Sequence, residues 1–151
     1  MSTLKTRNPE WVSTILGWRW LLPVARAALV SAYVLGGVTK LVHFSAAVAE
    51  QEHFGLRPGW LWATLAIVVE LGGSVCVIAN RLVWLGAGGL ACLTAIAMLV
   101  ANDFWNAAGN ARFSATNSFF EHLGLIAALV MAAWLSDLDG RRVHARSQQK
   151  H

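Results

Sequence analysis

The stretch LLPVARAALVSAYVLGGVTKLVH, Leu21 to His43, decides the fold of this chain. A helix rises about 1.5 Å per residue, so a run of this length covers a hydrocarbon core of roughly 30 Å. It nevertheless carries Arg26 and Lys40. At about 100° per residue, Arg26, Tyr33, Gly37 and Lys40 share one narrow sector of the helix, with Val30 beside them. A charge near the middle of a spanning helix costs about 2.5 to 3.5 kcal/mol on insertion scales, so this stripe must face protein or water and not lipid. The other helices have to supply its partners.

The rest of the composition agrees. Of 151 residues, 56% are hydrophobic and only 13% charged, against roughly a quarter charged in soluble domains. The chain reads as a polytopic membrane protein. Its net charge of +4 sits in clusters flanking apolar runs, which is topogenic charge and not a basic face, so no nucleic-acid partner is expected. Cys76 and Cys92 fall inside apolar runs far from any CxxC, which removes a disulfide framework and a dithiol redox motif. The first apolar run is too long for a cleaved signal, contains Arg26 and lacks a small-x-small cleavage site, so it is expected to remain as a helix.

Along the chain, residues 1–20 form a polar tail and a short interfacial helix. Asn8, Pro9 and Glu10 give an N-cap, a first-position proline and an acid in the first turn. Trp11, Ile15 and Trp18 then share one side, as in a segment lying among headgroups. Pro23 marks the turn into the membrane. Four spans are expected at about 21–43, 60–79, 82–101 and 118–135, within one domain over residues 21–136. Between the first two lies SAAVAEQEHFG, a short surface helix capped by Ser45 and stopped by Gly55. Residues 102–117 form the longest polar connection, and 137–151 read as a basic, disordered cytoplasmic tail. Lys5, Arg7, Arg19, Arg81, Arg141, Arg142, Arg146 and Lys150 fall on one side, against Lys40, Arg57 and Arg112 on the other. By the positive-inside rule both termini are cytoplasmic. The expected fold is an all-α, polytopic membrane four-helix bundle.

These residues resemble the DoxX family of small bacterial and archaeal inner-membrane proteins, over nearly the whole chain from Arg26 onward. Arg26, Gly36, Gly37, Lys40 and Leu41 match the family's arginine, glycine-rich stretch and Lys-Leu. FGLRP at 54–58, Glu70 with Gly72 and Gly73, the pair Phe104 and Trp105, and Leu138 with Asp139 follow in family order. One departure is that relatives often carry histidine before the aromatic-Trp pair, where this chain has Asn102 and Asp103. The resemblance implies a multi-pass protein of the bacterial inner membrane and a link to quinone-coupled redox chemistry. One branch is similar to the membrane subunit of thiosulfate:quinone oxidoreductase.

Two polar groups carry the candidate chemistry. Glu70 lies about ten residues, or 15 Å, into the second span, and Arg26 about 8 to 9 Å from the cytoplasmic end of the first. A buried Arg26–Glu70 ion pair is expected, either locking two helices together or holding a carboxylate that accepts protons beside a reducible headgroup. The second group, at the outer ends, comprises Lys40, His43, Asp103, Glu121 and His122. It is either an interfacial cluster with Lys40 paired to Glu121 or Asp103, or a mouth where Lys40 meets a quinone carbonyl and His122 exchanges a proton. His43 and His122 match no ligand spacing, so neither metal nor haem is expected. Trp105 beside this cluster could stack on a flat ring, and Tyr33 needs a partner for its hydroxyl.

Two readings stand. The first is a subunit of a quinone-linked membrane oxidoreductase, with Glu70, Arg26, Lys40 and His122 as its reactive groups and Tyr33, Trp105 and His43 lining the cofactor site. The second is a non-catalytic scaffold packing its small-residue third span against another membrane complex. A small transporter ranks behind both, for want of an inverted repeat or broken spans. No nucleotide, flavin or iron-sulfur motif is present, so electrons would come from redox partner subunits or a diffusible donor. Whether the chain is itself catalytic stays open, and an oligomer is compatible with either reading.

Overall fold

The computed structural model describes residues 9–101 and 104–148. Among them are α1 (Glu10–Leu16), α2 (Leu21–Val42), α3 (Phe44–His53), α4 (Gly59–Ile78), α5 (Val83–Ala101) and α6 (Gly109–Gln148), with no strand. Helices α2, α4, α5 and α6 are long and apolar enough to cross a membrane. They pack in chain order, α2 on α4, α4 on α5 and α5 on α6, while α2 and α6 meet only lightly.

Helix α1 starts after Pro9 with Glu10 in its first turn and ends at Gly17. Trp11, Ile15 and Trp18 are all more than half exposed, as befits an interfacial segment. The bend into the first span falls at Gly17–Trp20, ahead of Pro23. Pro23 sits in the first turn of α2, where a backbone N–H would have no helical partner in any case. Asn8, the expected cap, lies outside the described residues.

The buried residues of α2 are Arg26, Val30, Tyr33 and Gly37, the stripe that the helical period selects. Gly37 fixes the register between α2 and α4. A Cβ there would sit 2.8 Å from Leu71 Cδ2 and 3.2 Å from Glu70 Cβ, so glycine alone lets the backbone come this close. Beyond Gly37, α2 has only five residues left, the last of them Val42. Helix α4, in contrast, runs about 16 Å from Glu70 back to Gly59. After the break at His43, α3 covers this far half of α4, with Gly59 tight against the Val48 carbonyl and Glu52.

On the other side of α4, Gly73 and Gly86 bring α5 equally near: a Cβ on Gly86 would meet the Gly73 carbonyl oxygen at 2.7 Å. Of the small residues of the third span, Gly86 and Ala87 are thus buried inside the bundle, whereas Gly88 and Ala97 stay exposed. The core closed by this packing contains Val30, Tyr33, Val77, Val83, Leu90 and Leu129.

Helix α6 departs most from the sequence reading. It starts at Gly109, inside the expected polar connection, and continues through Gln148, where a disordered tail was expected. At its start, Phe104, Phe119 and Phe120 stack edge to face. Further along, Ser136 donates to Asn80 Oδ1 at 3.0 Å, and Arg141 pairs with Asp137 one turn away at 2.8 Å. Such local i, i+4 support favours continued helix over coil.

Candidate functional site

The polar centre of the bundle is a Lys40–Glu70 pair. Lys40 Nζ donates to Glu70 Oε1 at 2.8 Å, with the lysine side chain 24% and the glutamate side chain 10% exposed. The expected Arg26–Glu70 pair does not form. Gly37 sets Glu70 level with the far part of α2, which leaves Arg26 eleven residues, or about 16 Å, down the helix. Lys40 lies one turn beyond Gly37 on the same stripe, so it is the cation in reach. Nor does Lys40 pair with Glu121, which stays exposed; Asp103 lies outside the described residues.

The second carboxylate oxygen is the unusual feature. Glu70 Oε2 is buried, with no hydrogen-bond partner among the described residues. Gly36 makes room for it, since a Cβ there would lie 3.5 Å from both Oε2 and Lys40 Nζ. A buried carboxylate oxygen without a donor forfeits several kcal/mol of possible interaction, roughly 1–3 for an unmade hydrogen bond and more when charged. Lys40 also keeps donors in reserve, because an ammonium has three and Glu70 takes one.

Both side chains border a cavity of about 380 Å³ between α4 and α5, roofed by α3 and the segment that follows it. That is within the range of small-molecule sites. Its walls are largely apolar, with Phe54, Trp62, Ala66, Val69, Leu93 and Ile96 among them. Leu65 and Ile96, both on its rim, are each 49% exposed on the outer surface of the helices. The cavity therefore opens sideways, toward the space a bilayer fills.

The remaining candidates lie elsewhere. Tyr33 faces α5 and shares a hydrogen bond with Thr94, whose own hydroxyl donates to the Leu90 carbonyl at 2.8 Å. Thr94 has one proton, so Tyr33 must be the donor to it. His122 Nδ1 lies 2.6 Å from the Ser118 carbonyl within α6, and His43 is an exposed residue at the α2–α3 break. Trp105 packs edge to face on Phe104 and is 52% exposed. None of Arg26, Tyr33, His43, Trp105 and His122 borders the cavity. Among the described residues no cluster of His, Cys, Asp or Glu could hold a metal ion.

Sequence reasoning missed the cavity's walls because they depend on α3 folding back over α4. The signals were Gly55, at φ +78°, and Gly59, with no space for a side chain. Thr94, a lone hydroxyl in an uncharged span, was the available hint of a partner for Tyr33.

Fold and polar centre define a class: a helical membrane protein with four candidate spans and a charged pair sheltered between the first two. Comparison with known families narrows this. The DoxX family profile matches residues 21–103, more than half of the chain, and the chain belongs to that family. No curated protein and no solved structure matches it.

Proposed function

We propose that this DoxX protein is the membrane subunit of a quinone-linked redox system and that the α4–α5 cavity receives the quinone headgroup. The observation that carries this is the unpartnered Glu70 Oε2 on a carboxylate bordering an apolar cavity that opens laterally. A quinone headgroup is a flat ring bearing two oxygens that are acceptors when oxidised and hydroxyl donors when reduced. The pair at the cavity's edge offers both complements: spare N–H donors on Lys40 and a vacant acceptor on Glu70. Trp62 and Phe54 supply flat apolar surface, and the lateral opening suits a lipid-soluble tail.

A bound quinone would supply two-electron, two-proton acceptor chemistry, with the electrons delivered by a partner subunit or donor substrate. Lys40 orients and polarises a ring oxygen through its free N–H groups. Glu70 accepts a hydrogen bond at Oε2 from the reduced ring's hydroxyl and holds or passes a proton at that atom. The walls are largely apolar, with Glu50 and Gln51 on the α3 side, and the lower local polarity strengthens both interactions. Gly36 keeps the space beside Oε2 open.

The test is binding. The protein in nanodiscs, titrated with a short-tailed benzoquinone, should show saturable quenching of Trp62, read as the difference from Trp62→Phe. The double variant Lys40→Met/Glu70→Gln, which leaves no unpaired buried charge, should weaken the site about tenfold by losing the charge-assisted donor to the ring oxygen, and Leu93→Phe should weaken it by occupying the cavity. Quenching that is linear and identical in all forms would overturn the proposal. The accessory-subunit reading would then stand, with co-purification of a larger complex as its evidence.

A further inference from the structure

Among the described residues, Arg26 is the one buried cation that the quinone reading leaves unused, and its surroundings are specific. It is 9% exposed and borders a groove of about 270 Å³ along the seam where α2 and α6 barely touch. Every other residue bordering that groove is apolar, among them Leu22 and Leu29 of α2 and Ala128, Met131 and Leu135 of α6. Among the described residues, none gives Arg26 a hydrogen bond or ion pair. An unpaired guanidinium that keeps only a little accessible surface at an apolar groove calls for an anion that can reach it there.

The position says which anion. Leu22 and Leu135 share the groove, so it lies at the end of the bundle where α2 begins and the second half of α6 passes. Arg26 is five residues into α2, about 7.5 Å from its start, and helical side chains lean back toward the N-terminus. Its guanidinium is thereby carried toward headgroup depth. The groove's lips, Leu22 at 47%, Met131 at 59% and Leu135 at 41% exposure, face outward where acyl chains lie. Arg19 and Arg81 lie at the same end of the spans, where Arg141 is already paired with Asp137, and this favours a negative headgroup.

We propose that this seam is a binding site for one anionic phospholipid, whose phosphodiester meets Arg26 and whose acyl chain lies along Leu22, Leu29 and Met131. The planar guanidinium pairs with phosphate through two parallel hydrogen bonds, which an ammonium cannot reproduce. The lipid completes the weak contact between α2 and α6, so this site is structural and separate from the α4–α5 cavity.

Native mass spectrometry of the full-length protein from nanodiscs tests this. Nanodiscs would mix phosphatidylglycerol and phosphatidylcholine with identical chains. The protein should retain one phosphatidylglycerol under activation that strips phosphatidylcholine. Arg26→Gln should lose that preference, with about tenfold less lipid retained, and Arg26→Lys should keep only part of it. Ala132→Phe fills the groove while leaving the cation in place, so it should lose the preference even if Arg26→Gln folds poorly. Equal retention of the two lipids, or retention of phosphatidylglycerol by Ala132→Phe, would overturn the assignment. So would full thermal stabilisation of delipidated protein by inorganic phosphate alone, or an Arg26-dependent dimer in place of bound lipid.

Discussion

Gly37 and Leu71 are in closer contact than any side chain at position 37 would allow, with the absent Cβ only 2.8 Å from Leu71 Cδ2. This contact sets the register of α2 on α4 and so decides that Glu70 meets Lys40 and not Arg26. Gly37→Val should therefore push the helices apart, at a cost of about 1–3 kcal/mol as overpacking. Thermal unfolding followed by tryptophan fluorescence would show a lower midpoint. Gly36→Ala, whose Cβ would find its nearest neighbours at 3.5 Å, should leave that midpoint nearly unchanged. Equal effects at the two glycines would contradict the register argument.

The two members of the charged pair should not be equivalent. Lys40→Met leaves the Glu70 carboxylate with neither oxygen paired in a site 8% exposed, and removing one partner of a buried pair costs about 3–5 kcal/mol. Glu70→Gln leaves Lys40, which is more exposed and can extend toward water. It should cost clearly less. The double variant Lys40→Met/Glu70→Gln should recover much of the loss seen in Lys40→Met, because no buried charge is left without a partner. A chemical-denaturation series on the three variants measures this, and additive losses would show that the two side chains act independently.

How much of this could be read beforehand depends on the range of the interaction. The inward stripe of α2 follows from the helical period alone, and Arg26, Val30, Tyr33 and Gly37 are its buried residues. The short helix before Gly55 follows from local signals as well, but its start does not, since α3 begins at Phe44 and Ser45 lies inside it with no capping bond. The bend into the first span falls at Gly17–Trp20 and not at Pro23. The partner of Glu70 does not follow from local signals either. Counting rise from helix ends leaves Arg26 and Glu70 about 6 to 7 Å apart along the bundle axis, a gap that an arginine side chain can bridge. The true offset is set by close contacts at Gly37, Gly59 and Gly73, which are tertiary and leave no periodic trace. Helix α6 was underestimated for a related reason. Hydropathy marks where a helix enters lipid, not where it stops, and the Asp137–Arg141 pair lies in a stretch that hydropathy alone reads as a tail.

The Tyr33–Thr94 link between α2 and α5 predicts an ordering of two conservative variants. Tyr33→Phe removes a donor but leaves the Thr94 hydroxyl bonded to the Leu90 carbonyl, so it should cost about 0.5–1.5 kcal/mol. Thr94→Val strands the buried Tyr33 hydroxyl and should cost more, about 1–3 kcal/mol. Neither residue borders the α4–α5 cavity, so neither variant should change benzoquinone affinity by more than about twofold at matched folded fraction. Unfolding midpoints in the reverse order would mean that the hydroxyl of Tyr33 has another partner.

The turn between α4 and α5 offers a gain. Asn80 and Leu82 both hold positive φ, +54° and +52°. Asparagine tolerates this region, whereas a leucine Cβ crowds the following carbonyl at a cost of roughly 1–2 kcal/mol. Leu82 is 60% exposed, so little packing is lost by shortening it. Leu82→Gly gives back part of the strain as unfolded-state entropy, and Leu82→Asn avoids that loss. We expect Leu82→Asn to raise the unfolding midpoint and to exceed Leu82→Gly. Leu82→Val should lower it, because branching at Cβ makes the same backbone geometry worse. If all three variants unfold at the wild-type temperature, the α4–α5 turn is relaxed, and the Asn80–Ser136 hydrogen bond, not the backbone, determines its shape.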